Sequence, residues 1–174
     1  EKLDDILSGA EKKVFDIVQR RGSSEFVSIR DIVIQSLDNI EAASRNKGSV
    51  TGIATGFYDL DYKTAGLQSS DLVLLAARPS MGKTAFVLNL ADHIAVRNKI
   101  TTAIFSLEMS KTQLVNRLLS MNSRVDAQVL RTGNLEDSDW ANLMEGARVI
   151  GESGLIIDDT PGISITELRS KCRK

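Results

Sequence analysis

The chain is poor in the residues that build metal and disulfide sites: it has one cysteine, Cys172, and one histidine, His93. A single cysteine excludes an internal disulfide framework, and one His/Cys pair cannot supply the four ligands of a structural zinc site. Cysteine poverty fits a reducing compartment, so a cytoplasmic location is expected. Long apolar runs are missing as well, none approaching the roughly 18 residues of a membrane span. The amino terminus, Glu1-Lys2-Leu3 onward, has the pattern of neither a signal peptide nor a transit peptide, so no membrane partner is expected. It starts without methionine inside a helical pattern, which reads as a fragment at that end. An excess of one charge is also absent, with 22 Lys+Arg against 23 Asp+Glu and a formal net charge of −1. Dedicated nucleic-acid-binding domains usually show a strong basic excess, so contact with DNA would have to come from a few lysines and arginines on loops.

What is present is an ordinary globular composition: 42% hydrophobic and 26% charged over 174 residues is enough for one domain with a real core and a small second element. Leu3, Ile6, Leu7, Ala10, Val14, Ile17 and Val18 recur at three- and four-residue spacing, the stripe of an amphipathic helix closed by Arg20, Arg21 and Gly22. A second helix is predicted over residues 28–43, with Ser28 and Asp31 forming a capping-box pattern and a stripe of Ile29, Ile32, Val33, Leu37 and Ile40. Polar residues 44–48 follow as a linker. Two short single-stripe helices cannot make a core alone. Their apolar faces must pack on each other, on another domain or on a neighbouring subunit.

From Ser49 the texture changes. Residues 51–57 are a glycine-punctuated loop, and the apolar run at 71–77 suits a strand buried on both faces. A helix is predicted over 84–96, a strand over 102–107, and a helix opened by Ser110 with Gln113 completing its capping box. A helix over 137–150, a strand over 155–157 and a helix capped at Ser164 and running to the chain end complete the series. Alternation of this kind implies βαβ units and a parallel sheet with helices on both faces.

Between the 71–77 run and the next helix, Ala77, Arg78, Pro79, Ser80, Met81, Gly82, Lys83 and Thr84 match G-x-x-x-x-G-K-S/T, with alanine at the first glycine. The chemistry explains the pattern. A tight strand-to-helix loop points backbone N–H groups at the phosphates of a nucleotide, and the helix dipole adds positive potential. Glycine at 82 permits close backbone approach. Lys83 supplies a point charge to the terminal phosphates, and the Thr84 hydroxyl suits Mg2+.

Glu108, at the C-terminal end of the next strand, lies at the edge where open α/β sheets bind ligands. Its carboxylate can polarise a water for attack on a γ-phosphate, or simply favour the following helix N-terminus. The apolar run at 155–157, ending in Asp158 and Asp159, has the form of a magnesium-holding strand, although such runs are common. His93 reads as a helix-surface residue, Trp140 as a core or interface anchor and Cys172 as a bystander. The basic cluster Arg169, Lys171, Arg173 and Lys174 reads as a solvated helix face.

Several blocks together resemble the DnaB family of bacterial replicative helicases. These are residues 51–61, 64–72, 76–84, 105–109, 130–133, Asp139 with Trp140, and 157–161, in the family's order. The resemblance implies an α/β, RecA-like P-loop NTPase sheet at residues 49–174, incomplete at its C-terminus and preceded by a helical linker region at 1–48. It implies a homohexameric ring that uses ATP and Mg2+ to translocate on single-stranded DNA at replication forks, with primase and a helicase loader as partners in the primosome. It assigns catalytic roles to Glu108 and Lys83, nucleotide binding to residues 77–84 and metal binding to Thr84. It places the true magnesium-holding strand, the arginine finger and the DNA-binding loops beyond residue 174, so this stretch alone is expected to be inactive. The helix at 28–43 would dock on an adjacent protomer. Another RecA-like ATPase or a P-loop kinase is the alternative, but a kinase needs a lid and acceptor-site residues for which the sequence has no signal.

Overall fold

The computed structural model describes residues 27–45 and 50–173, together with Gly9, Ala10 and Lys13. Apart from those three residues, the helix expected from Leu3 to Val18 lies outside the described residues, as do the linker residues 46–48 and Lys174. The chain divides into two compact units, one of residues 50–163 and one that holds the segments on either side.

In the flanking unit, α1 (Ile29–Arg45) starts where Ser28 accepts the Arg30 N–H at 3.3 Å. Its stripe lies open: Ile29, Ile32, Val33, Leu37 and Ile40 are all exposed.

The 50–163 unit runs α2 (Tyr58–Thr64), α3 (Lys83–Ala91), β1 (Thr102–Phe105), α4 (Lys111–Ser123), α5 (Ala127–Thr132), α6 (Asp137–Gly151) and β2 (Leu155–Asp158). β1 and β2 pair in parallel, with Thr102 opposite Leu155 and Phe105 opposite Asp158. Parallel strands need a crossover, here supplied by α4 to α6. The inward face of the pair, Ile104, Leu155 and Ile157, packs on a core of Leu88 from α3 and Leu114 and Leu118 from α4. Burying each of these leucines contributes about 1.5–3 kcal/mol. α4 opens on the expected box, with Gln113 N–H donating to Ser110 Oγ at 3.3 Å and Ser110 N–H to Gln113 Oε1 at 3.2 Å. α6 lies close against the end of α4. A Cβ on Gly146 would sit 3.2 Å from the Ser123 nitrogen, so only a small residue fits there.

Several expectations are corrected. The run at 71–77 forms no strand, and Leu72 and Leu74 are each 85% exposed. A strand exists only through its ladder, and among the described residues no strand pairs with this run. The helix expected over 84–96 is α-helical only to Ala91 and widens into a π-helix over Asp92–Arg97. There the buried Asp92 carboxylate accepts from Asn122 Nδ2 at 2.7 Å and from Arg97 Nε at 3.2 Å. The final helix, α7 (Ile165–Lys171) in the flanking unit, stops at Cys172 rather than running on. Its last turn carries Arg169 and Lys171, which suit the negative end of the helix dipole. His93 is not on an open surface: its ring lies against Gly56, where a Cβ would fall 2.6 Å from His93 Cγ. Trp140, at 56% exposure, is not a core residue.

Candidate active site at the phosphate-binding loop

The loop that joins the 71–77 run to α3 is turned by local chemistry. The Met81 N–H donates to the Arg78 carbonyl at 3.3 Å, Ser80 sits at φ 63° and Gly82 at φ 88°. A Cβ on Gly82 would meet nothing within 4 Å, so glycine is demanded here by the left-handed backbone rather than by a close neighbour. Gly82 is also the N-cap of α3 and makes no side-chain cap hydrogen bond. The first N–H groups of a helix have no intrahelical acceptor. Those at the start of α3 are therefore left without a side-chain cap at the positive end of the dipole, where negative charge is favoured. Residues 77–83 are exposed and Thr84 is half-buried.

The fold brings the second candidate group to this loop. Lys83 Nζ stands 3.9 Å from Glu108 Oε2, with side-chain exposures of 50% and 82%. Glu108 lies on the bend between β1 and α4, and Ser106 shapes that bend. The Ser106 hydroxyl donates to the Met109 carbonyl at 2.7 Å and accepts the Met109 N–H at 3.1 Å. The Ser106 N–H reaches the Asp158 carbonyl at 2.8 Å, extending the β1–β2 ladder towards the bend. A solvent-open ion pair adds little stability, so what matters is where it holds the two groups.

The other acidic candidates have structural work. Asp158 Oδ1 accepts the Thr160 N–H at 2.9 Å. Asp159 Oδ2 accepts the Lys111 N–H at 2.9 Å, and Lys111 Nζ lies 3.5 Å from Asp159 Oδ1. The backbone hydrogen bond from Lys111 holds the Asp159 carboxyl below its ordinary 3.8. Asp159 thus ties the end of β2 to the first turn of α4.

One group near the site escapes sequence reasoning. Asp61, in the first turn of α2, is buried, and its carboxylate accepts the Thr55 N–H at 2.9 Å, the Thr55 hydroxyl at 2.7 Å and the Gly56 N–H at 3.2 Å. Burial pushes this carboxyl up, but the hydrogen bonds outweigh it, with a smaller contribution from His93, and its pKa ends below 3.8. Beside it the Phe57 ring stacks on Phe86 of α3, centroids 4.8 Å apart and planes 24° apart. A threonine six residues before an aspartate was the available signal, and it shows only once the loop is closed.

A phosphate loop opening a helix, a carboxylate delivered to its lysine by the next strand, and a parallel pair joined by a helical crossover occur together in residues 52–174, and the model of the DnaB-like helicase C terminal domain matches that stretch. The chain belongs to this family. Among its relatives, the replicative DNA helicase DnaC of Bacillus subtilis (strain 168) is 48% identical over 174 residues, which is all of this chain and 38% of that protein. The replicative DNA helicase DnaB of Geobacillus stearothermophilus is 45% identical over the same length and share. The DnaB-family chain therefore spans well under half the length of these curated relatives. A solved ATPase domain superposes with a TM-score of 0.79 at 34% identity, covering 86% of this chain and 52% of that one. A DnaB-like replicative helicase, solved to show its interactions with primase, superposes with a TM-score of 0.73 at 32% identity, covering 94% of this chain and 39% of that one. The fold is accordingly the RecA-like ATPase fold of DnaB helicases. Among the described residues, no helix is long and apolar enough to cross a membrane.

Proposed function

We propose that this chain is the nucleotide-hydrolysing part of a replicative DNA helicase, in which ATP bound at residues 77–84 powers movement of a homohexameric ring along single-stranded DNA. The observation that carries this reading is the 3.9 Å approach of Lys83 and Glu108 at the mouth of a phosphate loop, in a chain of the DnaB-like family. The backbone from Ala77 to Gly82 and the uncapped start of α3 would cradle the β- and γ-phosphates. Lys83 balances charge on the terminal phosphate, where phosphoryl transfer needs most stabilisation. Glu108 orients the attacking water and accepts its proton.

The residues present fit a magnesium ion. Thr84 opens α3 beside Lys83 and carries the hydroxyl that such loops offer a hard cation. Among the described residues no three His, Cys, Asp or Glu side chains converge as a metal site, so of these residues Thr84 is the one that would hold the ion. When bound, it would supply charge neutralisation between the phosphates.

The exposed run at 71–77 becomes a strand when it pairs with segments outside this sequence. Residues 1–48 act as a helical linker region, and the helix at 28–43 docks its open stripe on an adjacent protomer. Primase and a helicase loader bind the assembled ring in the cytoplasm. Steady-state ATP hydrolysis by Lys83→Ala and Glu108→Gln variants of the full-length protein tests the site.

A further inference from the structure

We infer that Asp61 is a positioning residue for this nucleotide site: its buried carboxylate fixes the loop at 55–57, and that loop braces the phosphate-binding helix α3. The inference rests on the nucleotide-hydrolysing reading of Lys83 and Glu108.

The brace is a chain of contacts. Thr55 is 1% exposed and Asp61 7%, so their hydrogen bonds form away from competing water. The Thr55 N–H lies 2.9 Å from Oδ1 and 3.1 Å from Oδ2 of Asp61, the Thr55 hydroxyl donates to Oδ1 at 2.7 Å, and the Gly56 N–H donates to Oδ2 at 3.2 Å. The Thr55 hydroxyl oxygen in turn accepts the Phe57 N–H at 3.2 Å, and the Asp61 N–H donates to the Phe57 carbonyl at 2.9 Å. Phe57 is therefore held from both sides, and its ring lies flat on Phe86. Phe86 belongs to the first turn of α3, where its own N–H donates to the Gly82 carbonyl.

The same loop touches the helical rod again further along. Gly56, at φ 83°, comes so close to His93 that a Cβ there would overlap the ring. Contacts at Phe86 and at His93 fix both the position and the tilt of the rod that carries Lys83 and Thr84. A rod freed from these contacts would hold its phosphate-facing N-terminus less firmly, which weakens nucleotide binding first. Asparagine at 61 keeps the size of the side chain but has one acceptor oxygen, and its NH2 would face a donor. The loop would lose its anchor while Lys83 and Glu108 stayed intact.

The test is ATP hydrolysis by the full-length protein, read as KM and kcat separately, with thermal melting alongside. Asp61→Asn is expected to raise KM for ATP about tenfold with kcat within roughly threefold, because it loosens phosphate binding and leaves the reacting groups in place. Phe57→Leu is expected to do the same, and Phe57→Tyr, which keeps the ring stack, to return KM to the wild-type value. The double variant Asp61→Asn/Phe57→Leu is expected to be no worse than the weaker single, since both act through one loop. If Asp61→Asn does not fold, the Phe57 pair decides. A fall in melting temperature with KM unmoved would make the loop mere scaffolding and overturn the inference. Collapse of kcat at constant KM, or failure of Phe57→Tyr to restore KM, would overturn it too. Lys83→Ala run in parallel separates the two readings. If it abolishes hydrolysis while the loop variants leave KM unmoved, only the brace fails. If it hydrolyses ATP like the wild type, the nucleotide site fails and the brace with it.

Discussion

Lys83 at the start of α3 and Glu108 beyond the end of β1 stand 3.9 Å apart, ammonium to carboxylate, although different elements deliver them. Both are solvent-open, so their attraction is worth at most about 1 kcal/mol and does not explain why the fold keeps them together. On the proposed reading one group meets phosphate charge and the other the attacking water, and hydrolysis needs both at one bond.

Lys83→Ala in the full-length protein is expected to lower steady-state ATP turnover by about 10²-fold or more, in line with the loss of a key charge-stabilising group. Circular dichroism is expected to be unchanged, because Lys83 is an exposed residue. Near-normal turnover would remove residues 77–84 from the site.

The open stripe of α1 leads to an assembly prediction. Ile32, Leu37 and Ile40 are 46%, 59% and 64% exposed, a larger apolar display than a lone helix carries without purpose. Changing all three to serine is expected to dissociate the proposed ring in sedimentation velocity and to leave the melting of the 50–163 unit within a few degrees of wild type. Intact hexamers at the same concentration, or general unfolding, would place the stripe inside its own protomer.

Asp61 sets a pH dependence whose sign follows from its partners. Its folded-state pKa is lowered from 3.8, so the unfolded chain binds the proton more readily. The stabilisation is complete above about pH 5 and is lost as pH falls through 3.8 and then through the lower folded value. Asp61→Asn is expected to cost about 1–3 kcal/mol at pH 7, the scale for hydrogen bonds to a charged group. Denaturant melts of the two proteins are expected to converge as pH falls below the lowered folded value of Asp61. A gap that stayed constant with pH would mean the charge on Asp61 is not what holds the loop.

What could be read from the sequence was what is local in it. The phosphate loop is contiguous, and the Ser110–Gln113 box spans a single turn, so residue types alone located both. The 71–77 run failed as a strand because pairing depends on distant partners, which no local pattern encodes. α2 and α5, of 7 and 6 residues, are too short to show a helical period. α5 is marked only by its ends, with Asp126 accepting the Gln128 N–H at 2.6 Å and Gly133 at φ 75°. The surroundings of His93 and the role of Asp61 are hidden for one reason. Each gains its role from a loop that folds back on the helix, and sequence distance hides that contact.

The most direct measurement compares binding with hydrolysis in Glu108→Gln. The substitution keeps the shape of the side chain and removes the base, and Lys83 remains beside the phosphates. Affinity for ATP, from equilibrium binding of a fluorescent ATP analogue, is expected within about threefold of wild type, while turnover falls by about 10²–10⁴-fold, the usual contribution of a positioned base. Affinity that fell as far as turnover, or turnover that survived, would contradict the assignment of Glu108 to the reacting water and with it the proposed site.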